Sequence, residues 1–180
     1  MRQLFRYTPT LNAILYALQR LGGMTDMHKL CKILYFADQK HLSRYGRSIT
    51  GDTYIKMTYG PVPSKVDDIL KAVRGDSFFS GCVSDLDGVI AFENRYNIRG
   101  LVAPEMDQLS ETDIECLTEA TEYCRDKTFA QLTQLSHGLA WSAAGDNQPI
   151  SVKDIMREAG DEEDYIDYIA GQIRLQSSLS

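Results

Sequence analysis

The residues best placed to do acid–base or nucleophilic chemistry are two pairs, Asp38 with His41 and Ser136 with His137. A carboxylate and an imidazole three positions apart on a helix share a face and reach one another, as an acid orienting a general base does. A solvated or capping pair has the same spacing. Ser136 and His137 are adjacent, and helical neighbours point ~100° apart, so they do not form a nucleophile–base pair with each other. No GxSxG elbow is present. Cys31, Cys82, Cys116 and Cys124 include no CxxC pair, and His28, His41 and His137 fit neither zinc-finger nor HExxH spacing. Cys116 and Cys124 stand eight residues apart in a helical pattern, ~12 Å along the axis and beyond disulfide reach. Gly22-Gly23 precedes a helix but lacks the lysine and preceding strand of a phosphate loop. These patterns predict no catalytic residue, no metal and no cofactor.

Binding chemistry is better represented. Ten tyrosines include Tyr35, Tyr45, Tyr54 and Tyr59, near lysines and arginines. Such rings stack on single-stranded nucleic acid, or bury their faces and keep the hydroxyl wet. The net charge is −6, unevenly spread. Residues 1–47 carry eight bases against two acids, net +6, and the remainder carries 11 bases against 23 acids, net −12. The most acidic block, 105–126, sets eight carboxylates against one arginine. Glu111, Glu115, Glu119 and Glu122 recur at i, i+4, i+8 and i+11, so they share one helical face. Their repulsion is what a cationic partner would relieve, which makes them candidate partner-binding residues beside the cluster Asp161, Glu162, Glu163 and Asp164. A solvated face that keeps the chain soluble has the same pattern.

Lys29, Lys32, Lys40 and Arg44 do not fall on one helical face, and no second basic helix follows. The expectation is therefore no sequence-specific DNA binding, only weak association suppressed by salt, with a nucleic-acid-binding regulator that uses the basic N-terminal third as an alternative function. No apolar run approaches the ~18–20 residues that cross a bilayer, and the first residues lack a secretory signal. Composition (43% hydrophobic, 24% charged) suits one soluble globular domain, expected in the cytoplasm and away from membranes.

The elements that must position these residues are mostly helices. Residues 9–21 read as a helix capped by Thr8, with Leu11, Ile14, Leu15 and Leu18 inward and Gly22-Gly23 after it. A second spans about 26–45 and stops at Gly46. Residues 54–59 alternate as a short strand that Gly60-Pro61-Val62-Pro63 stops, and a helix from about Ser64 closes at Gly75. Residues 82–99 read as a hairpin: Cys82–Leu86, an Asp87-Gly88 turn, Val89–Phe92, with Tyr96 and Ile98 extending the sheet. Ser110 and Asp113 open a helix to about Arg125, with Ile114, Leu117, Ala120 and Cys124 inward. Thr128 begins another to His137 with Phe129, Leu132 and Leu135 inward, Ser151 one to Ala159, and 161–175 is the last. The fold class predicted is α+β, a mainly α-helical single domain with a small inserted antiparallel sheet.

The run Lys29-Leu30-x-Lys32-Ile33-Leu34-Tyr35-Phe36-Ala37-Asp38, then His41-Leu42 and Tyr45-Gly46-Arg47, resembles the first helix motif of the Panacea domain, the SocA-like antitoxin and phage-associated family. Asp52 stands where that family has an acidic residue before a short strand. Tyr59-Gly60-Pro61-Val62 is similar to its YGPV turn, and Leu135-Ser136-His137-x-x-Ala140-Trp141 to its terminal LSH…PAW box, with Leu139 in place of the usual proline. The matches span about 29–142. The resemblance implies a nonenzymatic antitoxin that neutralises a cognate toxin by direct binding, or, as in one branch, an adaptor that delivers the toxin to a AAA+ protease. It also implies a Panacea domain over 1–144 and a C-terminal helical extension over 145–180. The same motifs have a structural account: Trp141 packing the last core helix on the first pair, His41 and His137 bonded within that packing, and Tyr59-Gly60-Pro61 fixing a reversal that is also a candidate partner-binding loop.

Overall fold

The computed structural model describes residues 4–76 and 86–178, so Cys82 and most of the expected strand 82–86 lie outside the described residues. Helix α2 (Met27–Tyr45) is the hub. Asp26 caps it by accepting from the Lys29 amide at 2.8 Å, and Gly46 ends it in the left-handed region at φ 72°. Leu30, Ile33, Leu34, Tyr35, Ala37 and Leu42 are buried on it. Around α2 pack α1 (Tyr7–Arg20), α4 (Glu111–Arg125), α5 (Phe129–Ser136) and α7 (Val152–Ala159). With α3 (Ser64–Arg74), α6 (Leu139–Ala143) and α8 (Glu163–Ser178), the described residues form eight helices and two small antiparallel sheets. The fold is mainly helical α+β, as the sequence predicts. Ile155, Met156, Ile166, Ile169 and Ile173 of α7 and α8 join the same apolar core as α1 and α2.

Where local readings differ from the structure, packing is the reason. Thr8 lies inside α1; Arg6 is the N-cap, its amide tied to the Thr50 carbonyl at 2.8 Å, and its side chain, which has no acceptor, caps nothing. Met24–Asp26, where the sequence predicts only the junction between the first two helices, is a strand, β1, that lies on the edge of a sheet ordered β1-β5-β4, with β4 at Ile90–Phe92 and β5 at Asn97–Gly100. Its hairpin turns at 93–96, where Asn94 Oδ1 accepts from the amides of Tyr96 and Asn97; the chain also turns at Asp87-Gly88, where the Val89 amide donates to the Leu86 carbonyl at 3.0 Å. Tyr96 is exposed in that turn, whereas Ile98 is buried in β5. Strand β2 (Tyr54–Met57) reverses at Thr58-Tyr59, and the expected stop returns as strand β3 (Gly60–Pro63), with Tyr54 opposite Pro63 and Lys56 opposite Pro61. Its prolines are tolerated because β3 has a strand on one side only. Phe129 and Leu135 are 51% and 41% exposed instead of inward, since the eight-residue α5 turns only Leu132 and Ser136 into the core.

The uneven charge of the chain is matched internally. Arg20 pairs with Glu122 at 2.8 Å, Lys40 with Glu119 at 3.1 Å, and Arg44 with Glu115 and Glu119 at 2.9 and 2.7 Å. The basic α1–α2 segment and the acidic α4 are thus each other's counterions, a pairing that sequence separation hid. Among the described residues no helix is long and apolar enough to cross a membrane.

Trp141 packs against the edge of the core and is not enclosed within it. Its ring is half-buried, stacks on His137 at 3.7 Å, and donates Nε1–H to the Met57 carbonyl at 3.0 Å. Trp141→Ala is therefore expected to cost about 2 kcal/mol in chemical denaturation, below the 3–5 kcal/mol of a fully packed tryptophan.

Candidate functional site: a caged turn at Tyr59

Most motif residues prove to be joints of the fold. Leu30 and Leu34 are core. Lys29 reaches the carbonyl of Arg125, at the C-terminal end of α4, at 2.7 Å. Tyr35 donates to Glu158 at 2.9 Å, and Glu158 in turn accepts from the Ala140 amide at 2.8 Å, tying α2, α6 and α7 together. Asp52 accepts from the amides of Thr53, Lys65 and Val66, supplying α3 with the N-terminal carboxylate that Pro63 cannot.

Asp38 and His41 do not pair. Asp38 turns to the loop after α2, accepting from the amides of Ile49 (2.7 Å) and Thr50 (3.0 Å), the Thr50 hydroxyl, and the Tyr54 hydroxyl (2.8 Å). His41, fully buried, bonds the Arg47 carbonyl through Nδ1 at 2.8 Å and faces Asp113 through Nε2 at 3.1 Å. Burial opposes ionisation of Asp113, but His41, the Ser110 amide and Arg47 together hold its carboxyl well below the usual range. Tyr45 is exposed and donates to Glu115.

Of the α4 carboxylates, Glu115, Glu119 and Glu122 are engaged; hydrogen bonds from Arg44 hold the Glu119 carboxyl, and from Arg125 and Arg20 the Glu122 carboxyl, down at about 2. Glu111 is exposed in the first turn. Asp161 accepts from Ser43 at 2.6 Å and Glu163 from Arg157. Reversing Glu115 and Glu119 to lysine would set new cations against Arg44 and Lys40. Glu→Gln exchanges are the variants that probe this face with the fold intact.

The three motif segments meet in one place, the turn from β2 to β3. Its carbonyls are held from beneath by side-chain nitrogens of α2 and of α5–α6. Trp141 Nε1–H takes Met57, His28 Nε2–H takes Tyr59 at 3.1 Å, and Lys32 Nζ takes Pro61 at 2.9 Å, with the His137 ring stacked on Trp141 beside them. Gly60 sits at φ +101°, where a Cβ would overlap Ser136 Oγ and lie 2.9 Å from Lys32 Cε and Nζ. Met57, Thr58 and Tyr59 point outward, Tyr59 58% exposed, with Phe129 edge-on to it at 5.2 Å and stacked on His28 at 4.0 Å. Lys56 lies over the Trp141 ring at 4.4 Å and pairs with the exposed Asp146 at 3.3 Å.

His28, Met57, Lys56 and Phe129 were not singled out from the sequence as site residues. The available signal was spacing: His28 and Lys32 are i, i+4 on α2 and so share a face. Lys32 and Ser136 are neighbours but both 0% exposed, and Ser136 donates to the Thr133 carbonyl at 3.1 Å. What this arrangement offers the surface is the turn, not a nucleophile.

Burial pushes the Lys32 ammonium down to about 8. In the unfolded chain a lysine holds its proton to ~10.4. Between these values the unfolded state binds more protons, so the Lys32 contribution to stability rises with pH. At neutral pH the buried charge costs up to about 3 kcal/mol. Lys32→Met removes that cost and one hydrogen bond worth ~1 kcal/mol. Urea unfolding is expected to show the variant more stable than the parent by about 1–2 kcal/mol at pH 7, with the difference gone by pH 10.

Fold and site together define a mainly helical α+β domain whose motif residues brace one displayed turn. The family model described as Antitoxin SocA-like, Panacea domain, matches residues 30–142, well over half of the chain, and the chain belongs to that family. No curated protein and no solved structure matches it.

Proposed function

We propose that this chain is the antitoxin of a toxin–antitoxin system and neutralises a cognate toxin by direct protein–protein binding in the cytoplasm, without catalysis of its own. The observation that carries the reading is membership of the SocA-like Panacea family over the segment that contains all three motifs. In support, the polar residues of those motifs are spent inside the fold, and the surface above them is an aromatic turn suited to a partner. Residues 1–144 are read as the Panacea domain and 145–180 as its helical extension. Two faces are candidates to receive the toxin, the carboxylates Glu111, Glu115, Glu119 and Glu122 of α4, and the turn Tyr59-Gly60-Pro61. The turn is favoured, because three of the four carboxylates already have cationic partners.

The test pairs a pull-down of the product of the neighbouring reading frame with growth rescue on co-expression. Binding with rescue is expected in a strain lacking AAA+ proteases as well as in the parent strain. Rescue that needs the protease marks the adaptor route, and absence of both binding and rescue rejects the antitoxin reading.

A further inference from the structure

We propose that the Tyr59 turn is the toxin-docking surface and that Lys32 is its positioning residue, holding the turn in docking shape at a cost to the fold; this rests on the antitoxin reading above. The first ground is geometric. Three carbonyls of one short turn, those of Met57, Tyr59 and Pro61, are each held by a side-chain nitrogen of another element. With its carbonyls drawn inward, the turn presents Met57, Thr58 and Tyr59 to solvent in one fixed conformation. A rigid display of that kind lowers the ordering cost of association.

The second ground is what Lys32 lacks. It is fully buried, no carboxylate among the described residues pairs with it, and Nζ reaches the carbonyl of Pro61. A methionine would fill the same space without burying a charge, so stability does not account for the lysine. What the ammonium adds is a directional grip, from the central helix, on the residue after Gly60.

The same layer states the chemistry of the partner. The groups beneath and beside the turn are the lysines Lys32 and Lys56 and the imidazoles His28 and His137, with Asp146 at the rim as the carboxylate paired to Lys56. His28 Nδ1 and His137 Nε2 are buried with no partner among the described residues. Exposed above them are Met57 and the edge-on rings of Tyr59 and Phe129. The toxin segment that fits presents an apolar side chain to those rings beside a carboxylate.

Three variants of the full chain test this against the neighbouring-frame product by surface-immobilised binding. Tyr59→Ala is expected to bind at least tenfold more weakly with an unchanged melting temperature. Lys32→Met is expected to melt no lower than the parent at pH 7, to exchange its amides over residues 57–62 at least tenfold faster, and to bind at least tenfold more weakly. Lys56→Glu is expected to slow association several-fold, and faster association would overturn the acidic-partner assignment. Parent-like affinity in Tyr59→Ala or Lys32→Met would overturn the proposal, and a lower melting temperature in Lys32→Met would show that the lysine serves the fold instead. If the parent itself fails to bind, the antitoxin reading falls, while the exchange rates of Lys32→Met still decide whether Lys32 positions the turn.

Discussion

Asp38→Ala is expected to lower the unfolding free energy by about 4 kcal/mol, the largest effect of any single exchange in the core. Asp38 sits 3% exposed with four donors on it: the amides of Ile49 and Thr50 and the hydroxyls of Thr50 and Tyr54. Truncation leaves all four in a dry interior, and each unsatisfied group costs ~1–3 kcal/mol before relaxation. The loop 47–53 would lose its fold, and with it Asp52, which orders the start of α3. Asp38→Asn keeps one acceptor oxygen and is expected to lose about half as much. The midpoint of urea unfolding measures both, and a loss under ~1 kcal/mol for alanine would show that the loop holds without its carboxylate.

Gly60→Ala is expected to cost about 3 kcal/mol. One part is backbone strain, since φ +101° lies where side chains rarely go. The larger part is overlap of the new Cβ with Ser136 Oγ and the end of Lys32, both fully buried and unable to give way freely. Gly22 separates the two contributions. It too has positive φ, 87°, but nothing lies within 4 Å of a Cβ there, so Gly22→Ala is expected to cost only ~1 kcal/mol. Equal losses at the two positions, read by thermal or urea unfolding, would mean that close packing at the turn contributes nothing.

Local signals in the sequence were legible where local physics decides the outcome. The Ser110–Asp113 capping box, Gly46 and Gly75 as helix terminators, and the apolar spacing of α2 are determined within a few residues of chain, and the structure has each of them. Local signals misled where a distant segment intervened. Gly60-Pro61-Val62-Pro63 carries two prolines and reads as a stop, yet it pairs with β2 because one edge suffices for a two-stranded ladder. Phe129 fits an inward stripe but is held outward by its stack on His28, a residue 101 positions earlier.

By itself, then, the sequence determined a mainly helical α+β domain, its helix boundaries to within a few residues, and membership of the Panacea family. Each rests on short-range spacing or on ordered motifs, which need no three-dimensional information. Only the tertiary structure decided that Asp38 and His41 serve different partners, and that the basic first third neutralises the acidic α4. It alone brought His28, Lys32, His137 and Trp141 under one turn. The physical reason is the same in each case: a side chain's partner is chosen by the packing of helices far apart in the chain, and a carboxylate or an ammonium carries no mark of the group that will satisfy it.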